Sequence, residues 1–188
     1  MAINANLGWS NANSYVSEAD ADTYAGTVWW GSSWLALSAD DKKIALIGST
    51  AALETLTWKG TRCSPSADNP DMPQALSWPR SDAACDGVAA TCDLLPHAIV
   101  AATCELAYQL STNPGAITGD GATSNQGPIK KQQLGSLSQE FFEPGGNDSK
   151  VSGQAPLVLQ KFPFLVDVLG CWLESTSTTS RVILRVRS

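Results

Sequence analysis

Two neighbouring segments, residues 58–62 and 74–80, cannot continue the helical patterns that lie on either side of them. In the first segment Gly60 ends a helix, because glycine has no Cβ and adopts positive φ readily. In the second segment Pro79 removes an amide donor and forces the residue before it into an extended conformation. The rest of the chain must therefore fold around two extended segments that are set between helices.

Trp78 lies on the second of these segments, and the sequence leaves two roles open for it. A tryptophan buries on the order of 200 Å² when it docks, so Trp78 can fill a gap between helices as a core anchor. It can also form a stacking platform for a nucleic-acid base, with Arg62 and Arg80 contacting phosphates. The residues that we interpret as structural anchors are Trp58, Gly60, Arg62, Trp78, Pro79 and Arg80.

Charge and composition favour a globular protein that does not coat nucleic acid. The 188 residues are 43% hydrophobic, which is enough for one core or for a domain with a substantial arm. The formal net charge is −6 with 12 basic residues, whereas affinity for nucleic acid comes mostly from neutralising phosphates. The sequence contains neither a run that could span a membrane nor a signal-peptide pattern, so we expect a soluble protein made in the cytoplasm.

Helix-capping patterns indicate where three helices begin. Ser17 and Ser38 each open a capping box, which predicts a short first helix and a second helix that continues to about Thr57. Asp93 is predicted to cap a third helix that carries Pro96 in its first turn. A group of tryptophans between the first two helices is typical of a core or of a subunit interface, and its members are Trp29, Trp30 and Trp34.

The second half of the chain is richer in loops. Residues 114–128 and 144–153 contain several glycines and are predicted to form loops, while residues 129–142 indicate two short strands that meet at Gly135-Ser136. Phe162-Pro163 is predicted to open a last helix. Residues 181–187 alternate with period two and predict a terminal strand, whose arginines lie on one face and whose apolar side chains lie on the other.

The cysteines do not form a metal-binding pattern in the sequence. Five cysteines are an odd number, and no two of them have Cys-x-x-Cys spacing. Cys85 and Cys92 flank a turn at Gly87 and could meet across it. Cys104 and Cys171 lie in helical patterns and are interpreted as small buried hydrophobic residues.

The sequence predicts no catalytic residue, no cofactor and no metal site, and hence no enzyme. The single histidine, His97, is poorly placed to serve a nucleophile, and no P-loop or dinucleotide fingerprint occurs. The carboxylates that could form an acid–base pair lie in first helical turns, where the helix dipole already accounts for them. These carboxylates are Asp20, Asp22, Asp40 and Asp41.

One ordered set of motifs, within about residues 12–174, resembles the head-to-tail adaptor (head completion) proteins of tailed phages, which are often labelled DnaT-like single-stranded-DNA-binding proteins. The block from residue 58 to residue 80 is the most specific part of the resemblance. The cysteine-bearing insert at 81–92 and the arginine-rich tail are not features of that family. The motifs are Ser14-Tyr15-Val16-Ser17, Ala19-Asp20, Tyr24, Ala45-Leu46-Ile47, Trp58-Lys59-Gly60-Thr61-Arg62, Gln74-Ala75-Leu76-Ser77-Trp78-Pro79-Arg80, Leu95-Pro96, Ala101, Glu105-Leu106-Ala107, Ile129-Lys130-Lys131, Gly135-Ser136-Leu137 and Phe164-Leu165.

The resemblance implies a mainly α protein: a small helical bundle with an extended C-terminal arm that contains short β-strands. With the patterns above it predicts an adaptor domain over residues 1–113 and an arm over 114–188 that holds a hairpin, one helix and a terminal strand. It further implies a ring, commonly of twelve subunits, beneath the portal protein at the head–tail junction of a virion assembled in the cytoplasm of a bacterial host. Such a ring binds tail (nozzle or tube) proteins, and packaged DNA passes through its channel without specific binding.

Two functions agree with these patterns, and a soluble helical domain of some other assembly is a third interpretation. The first is a structural connector, for which we predict portal docking by the terminal strand, because such a strand can add to the sheet edge of another chain. The second is single-stranded-DNA binding through Trp78, Arg62, Arg80 and the Lys130-Lys131 pair. Net charge favours the connector. The residues predicted to dock on the portal are Arg181, Val182, Leu184, Arg185, Val186 and Arg187.

Overall fold

The computed structural model describes residues 2–116, 131–134, 137–140 and 156–174. The chain forms two compact units, of which the first comprises Met1–Ala122 with Pro156–Glu174, and the second comprises Thr123–Ala155 with Ser175–Ser188. Within the described ranges, no helix is long and apolar enough to cross a membrane.

The described residues of the first unit form six α-helices, and two long ones lie at its centre. These two, α3 and α4, pack against each other, α1 contacts both, and α6 packs on α4. A short 3₁₀ turn, Pro114–Ala116, follows α4. The helices are α1 Glu18–Ala25, α2 Gly31–Leu35, α3 Ala39–Leu53, α4 His97–Thr112, α5 Leu157–Lys161 and α6 Phe164–Leu169.

Both predicted capping boxes are confirmed. The side chain of Ser17 accepts a hydrogen bond from the amide of Asp20, and that of Ser38 accepts one from the amide of Asp41. The expected end of α3 near Thr57 is wrong, since the helix stops at Leu53. The backbone at Thr57 makes a contact outside the helix, because the carbonyl of Thr57 accepts a hydrogen bond from the amide of Glu174.

The predicted start of the third long helix, α4, is also wrong. Asp93 does not cap it; Pro96 is the N-cap residue, with an extended backbone, and its carbonyl accepts from the amides of Ile99 and Val100. Asp93 instead lies inside a tight turn, closed by a bridge between Thr91 and Leu94. Asp93 therefore lies in the turn that precedes the helix and is not at its N-cap position.

The expectation of a helical bundle with a β-containing C-terminal arm is wrong. Two small antiparallel sheets lie between α3 and α4 in the sequence, inside the first unit and not in an arm. They form because the extended segments around Gly60 and Pro79 pair with each other, and because the chain after Pro79 turns back on itself at Gly87, where φ is +82°. The strands are β1 Thr61–Arg62 with β2 Arg80–Ser81, and β3 Ala84–Cys85 with β4 Val88–Ala89.

The second unit has one described feature, a two-stranded antiparallel hairpin. β5, Lys131–Leu134, pairs with β6, Leu137–Glu140. This confirms the two short strands expected over residues 129–142. The predicted terminal strand at 181–187 lies outside the described residues.

Residues 156–174 belong to the first unit, whereas the boundary predicted at residue 113 assigns them to the arm. The single helix expected from Phe162-Pro163 is in fact a pair, α5 and α6. The end of this segment runs antiparallel to Trp58, which bridges to Leu173. Its apolar side chains complete the core, and the buried ones are Val158, Phe162, Leu165, Leu169 and Trp172.

The three clustered tryptophans have different fates. Trp30 and Trp34 are buried, whereas Trp29 is 88% exposed. The Trp30 indole donates a hydrogen bond to Glu105 and stacks on Tyr108 with ring centroids 4.5 Å apart. The core interpretation is therefore confirmed for two of them, and Trp29 is the exposed apolar member.

Two disulfides cross-link the first unit, and neither is the contact between Cys85 and Cys92 that the sequence left open. Cys63 bonds Cys92, and Cys85 bonds Cys171, so Cys85 and Cys92 do not meet each other across the turn. Cys171 is therefore not a simple buried hydrophobic residue. Cys104 is free and buried, as expected, and burial raises the pKa of its thiol to about 12.

Candidate interaction site

Trp78 is a core anchor and not a stacking platform. Its side chain is only 1% exposed. Its ring meets Trp58 and Trp172 edge to face, with centroids 5.7 and 5.5 Å away. Edge-to-face contact is a favoured arrangement for aromatic pairs. A nucleic-acid base cannot reach this ring without unfolding the three-tryptophan cluster.

Arg80 holds the two extended segments together from the inside. Its guanidinium donates hydrogen bonds to the backbone carbonyls of Trp58, Lys59, Gly60 and Ser77. Burial, and secondarily the charge of a neighbouring arginine, lower the pKa of Arg80 below its usual value. With its donors directed at carbonyl groups, Arg80 serves the fold and not a phosphate.

Gly60 is required at this point for two reasons. Its φ is +77°, a conformation that side chains with a Cβ rarely adopt. A Cβ added there would also lie 2.2 Å from the carbonyl oxygen of Ser81. The predicted anchor role of Gly60 agrees with both observations.

Glu54, which the sequence interpretation missed, links the second segment to the core. Its carboxylate accepts hydrogen bonds from the amide and the hydroxyl of Ser77, both at 2.9 Å, and from the phenol of Tyr15. Arg62 lies 3.7 Å away and donates to the Ser77 hydroxyl. The signal in the sequence was a carboxylate at the C-cap position of α3, where the helix dipole disfavours an acidic side chain.

The buried Tyr15–Glu54 pair predicts a loss of stability in alkali. Burial, and next the charge of Glu54, raise the pKa of the Tyr15 phenol above its ordinary value. Because the unfolded phenol ionises near pH 10 and the folded one does not, this contribution is complete below about pH 10 and is lost as pH rises further. We expect the free energy of unfolding of Tyr15→Phe to fall less steeply above that pH, by about 1.4 kcal/mol per pH unit. Denaturant titrations at several alkaline pH values measure both slopes, and equal slopes would contradict the assignment.

The cations of the first unit are used within the chain. The ranges 2–116 and 156–174 carry 14 acidic and 6 basic side chains. Besides Arg62 and Arg80, Lys42 pairs with Asp22 at 2.9 Å and Lys43 with Asp40 at 3.5 Å. The remaining two basic residues are Lys59 and Lys161, of which Lys161 lies in the last turn of α5.

Lys59 is a further cation that the fold uses. Its ammonium group donates to the carbonyl of Cys171 at 2.7 Å. Five of the six cations in the described part of the first unit are therefore held by internal ion pairs or hydrogen bonds. A surface of this kind repels phosphates more than it attracts them.

An open apolar groove lies between α3 and the end of α4. Its volume is about 390 Å³. Ile44 stands at this groove and is 65% exposed, although the side chain next to it in sequence, Ala45, is buried. Exposed apolar surface of this kind marks interaction sites more often than isolated exposed residues do. The lining residues are Leu37, Asp41, Ile44, Ala45, Gly48, Leu110, Ser111 and Pro114.

The structure thus separates the predicted site residues into two groups. It brings the structural anchors together around the three-tryptophan cluster, which is inside the fold. The predicted portal-docking residues lie outside the described residues, as does Lys130, and Lys131 is described only as the first residue of β5. The side chains singled out for a DNA contact on the first unit, those of Trp78, Arg62 and Arg80, are held by internal contacts.

Comparison with known proteins finds one family. Residues 1–183 match a family model described as putative DnaT-like ssDNA binding protein. That description corresponds to the second of the two functions considered above and does not mention head-to-tail adaptors. No curated protein and no solved structure matches the chain.

Proposed function

The chain belongs to the family of putative DnaT-like ssDNA binding proteins, and we propose that it works as a structural adaptor subunit, joining the portal and the tail of a phage particle. In this role the chain binds other proteins, including further copies of itself in a ring. The motifs that resemble head-to-tail adaptor proteins support this proposal, as does the way the first unit uses its charges.

The observation that carries the proposal is the internal use of the cations. A single-stranded-DNA-binding protein combines a positively charged groove with exposed aromatic rings on which bases stack. In the described part of the first unit, the most deeply placed arginine bonds to backbone carbonyls and the central tryptophan is buried. A channel wall past which DNA moves without sticking needs the opposite of a DNA-binding groove, and an acidic surface supplies it.

The groove beside Ile44 supplies the surface for self-association under this proposal. A ring uses heterologous contacts, in which two different patches of the same chain meet. We assign the groove to a neighbouring copy, because an adaptor ring repeats the same contact around its axis. Trp29, the most exposed of the large apolar side chains in the described ranges, is of the type that contributes most at interfaces.

Single-stranded-DNA binding is the second candidate, and the family description favours it directly. If the chain binds DNA, the cations must come mainly from outside the described part of the first unit. The rest of the sequence holds six basic and four acidic residues, a net charge of +2 against −8 for the described part of the first unit. The basic residues concerned are Lys130, Lys131, Lys150, Arg181, Arg185 and Arg187.

The test measures assembly and DNA binding on the same preparation of the full chain. Light scattering gives its mass alone and with the portal protein, and fluorescence anisotropy follows a titration with labelled single-stranded DNA at several salt concentrations. We expect a fixed ring stoichiometry with the portal and no saturable DNA binding at physiological salt. We expect Ile44→Glu to block self-association, because it places a charge in the apolar groove.

Two further variants separate the candidates. Lys161→Glu changes a charge that is distant in sequence from both α3 and the C-terminal arginines, so it controls for a general effect of charge on assembly. The second variant replaces Arg181, Arg185 and Arg187 with glutamine. It weakens portal binding if the C-terminal segment of the chain docks on the portal, and it weakens DNA binding if the second candidate is correct. DNA affinity that falls steeply with salt, with no portal complex, would overturn the adaptor proposal.

A further inference from the structure

Cys85, Asp86 and Cys171 bring three metal-binding groups to one place on the first unit. Their two sulfur atoms and a carboxylate oxygen all lie within 4.8 Å of one another. Cys85 and Cys171 are half-buried and Asp86 is exposed, so solvent reaches the cluster. Among the described residues, this is the one group of three histidine, cysteine or acidic side chains with such spacing.

The backbone holds these residues together independently of the disulfide. Lys59 holds the segment around Cys171 by two hydrogen bonds: its amide donates to the Trp172 carbonyl at 2.9 Å, and its ammonium group donates to the Cys171 carbonyl at 2.7 Å. The next residue, Gly60, packs against Ala83, two residues before Cys85, and Cys85 itself is paired with Val88 across a hairpin. Reduction of the bond between the two sulfur atoms therefore leaves both thiols beside each other.

We propose that, when its thiols are reduced, the chain binds one Zn²⁺ ion through the Sγ atoms of Cys85 and Cys171 and a carboxylate oxygen of Asp86. Thiolate and carboxylate groups are among the ligands that zinc prefers, and three protein ligands leave the fourth tetrahedral position for water. Two thiolates and one carboxylate carry three negative charges. The ion offsets two of them, and the nearby Lys59 ammonium group offsets the third.

The site is distinct from the bridge between Cys63 and Cys92, which shares none of these three ligands. It also escapes a search of the sequence for Cys-x-x-Cys, because one ligand pair is adjacent and the other cysteine is 86 residues away. Metal binding and the Cys85–Cys171 disulfide exclude each other, since sulfur atoms bonded to each other are not thiolates. Zinc binding therefore belongs to the reduced chain only.

The test titrates the reduced, metal-free full chain with Zn²⁺ in competition with a chromophoric chelator, in the presence of a phosphine reductant. The same chain is titrated with Co²⁺, whose thiolate ligands give a charge-transfer absorption in the near ultraviolet. We expect one Zn²⁺ per chain and an absorption that accounts for two thiolate ligands. The double variant Cys63→Ser/Cys92→Ser keeps the three proposed ligands and is expected to bind as the wild type does.

Variants of the ligands decide the outcome. Cys85→Ser should weaken Zn²⁺ binding by more than the roughly 10- to 100-fold that loss of an outer-shell partner costs. Asp86→Asn, at an exposed position that leaves both thiols and the fold in place, should weaken binding at least about tenfold without removing the thiolate absorption. Binding unchanged in Cys85→Ser and in Asp86→Asn, or lost in Cys63→Ser/Cys92→Ser, would overturn the proposal. Circular dichroism checks that each variant is folded, and the oxidised wild type should not bind.

Discussion

Trp78→Ala is expected to lower the free energy of unfolding by about 3–5 kcal/mol, the usual cost of truncating a buried large aromatic side chain. The substitution removes the ring that lies between Trp58 and Trp172, so both neighbours lose an edge-to-face contact. The resulting cavity would lie where the second extended segment meets the end of the chain's last described helix pair. Because the total free energy of unfolding of a small protein is only about 5–15 kcal/mol, such a loss is a large share of the stability.

Two other substitutions at tryptophans make this measurement specific. Trp29→Ala removes the same side chain from a position that is 88% exposed, and we expect a change within about 0.5 kcal/mol. Trp78→Phe keeps an aromatic ring and should cost less than the alanine variant. Urea denaturation followed by circular dichroism measures all three against the wild type. If Trp78→Ala were as stable as Trp29→Ala but lost DNA binding, the stacking role would have to replace the core role.

The sequence was sufficient to place the features that depend on neighbouring residues. The capping boxes at Ser17 and Ser38 involve residues three apart, and their contacts are as expected. β5 and β6 pair with each other, as expected for two short strands on either side of a glycine. For Trp78 the sequence left two roles open, a core anchor and a stacking platform, and only its burial decides for the first.

What the sequence did not supply are contacts between residues that lie far apart along the chain. Glu54 meets Ser77 across 23 residues, and Lys59 meets Cys171 across 112, and no periodicity encodes either contact. Strands of only two residues, such as β1 and β2, are too short to show alternation. The cysteine contact that the sequence suggested, between Cys85 and Cys92, rested on nearness along the chain, whereas disulfide pairing depends on nearness in space. The helical-bundle expectation failed partly for the same reason, since β1 pairs with β2 across the loop that separates them in the sequence.

Loss of the Cys85–Cys171 bridge is the second large effect that we expect. A disulfide restricts the unfolded chain, and in the chain-entropy model the restriction grows with the length of the loop that it closes. Residues 85 and 171 are 86 positions apart, which corresponds to about 4.5 kcal/mol in that model. The double variant Cys85→Ser/Cys171→Ser, kept under oxidising conditions, should show this loss in a denaturant titration.

The other bridge provides a matched comparison. Cys63 and Cys92 are 29 positions apart, for which the same model gives about 3.5 kcal/mol. The loops overlap between residues 85 and 92, so breaking both bonds with reductant should cost less than the sum of the two single losses. The reason is that either bridge already restricts part of the loop that the other closes.

The comparison also distinguishes two ways in which the bridges can stabilise the protein, by constraining the unfolded chain or through local packing around each bridge. If the constraint on the unfolded chain dominates, the free energy of unfolding must fall more in the variant that lacks the Cys85–Cys171 bridge than in the one that lacks the Cys63–Cys92 bridge. In the presence of reductant, the wild type and both variants must then have nearly equal free energies of unfolding. Equal losses in the two oxidised variants would mean that local packing around each bridge outweighs loop length. An oxidised wild type that is no more stable than the reduced protein would mean that one or both bonds do not form in solution, and thiol titration of the unfolded protein would show which cysteines are free.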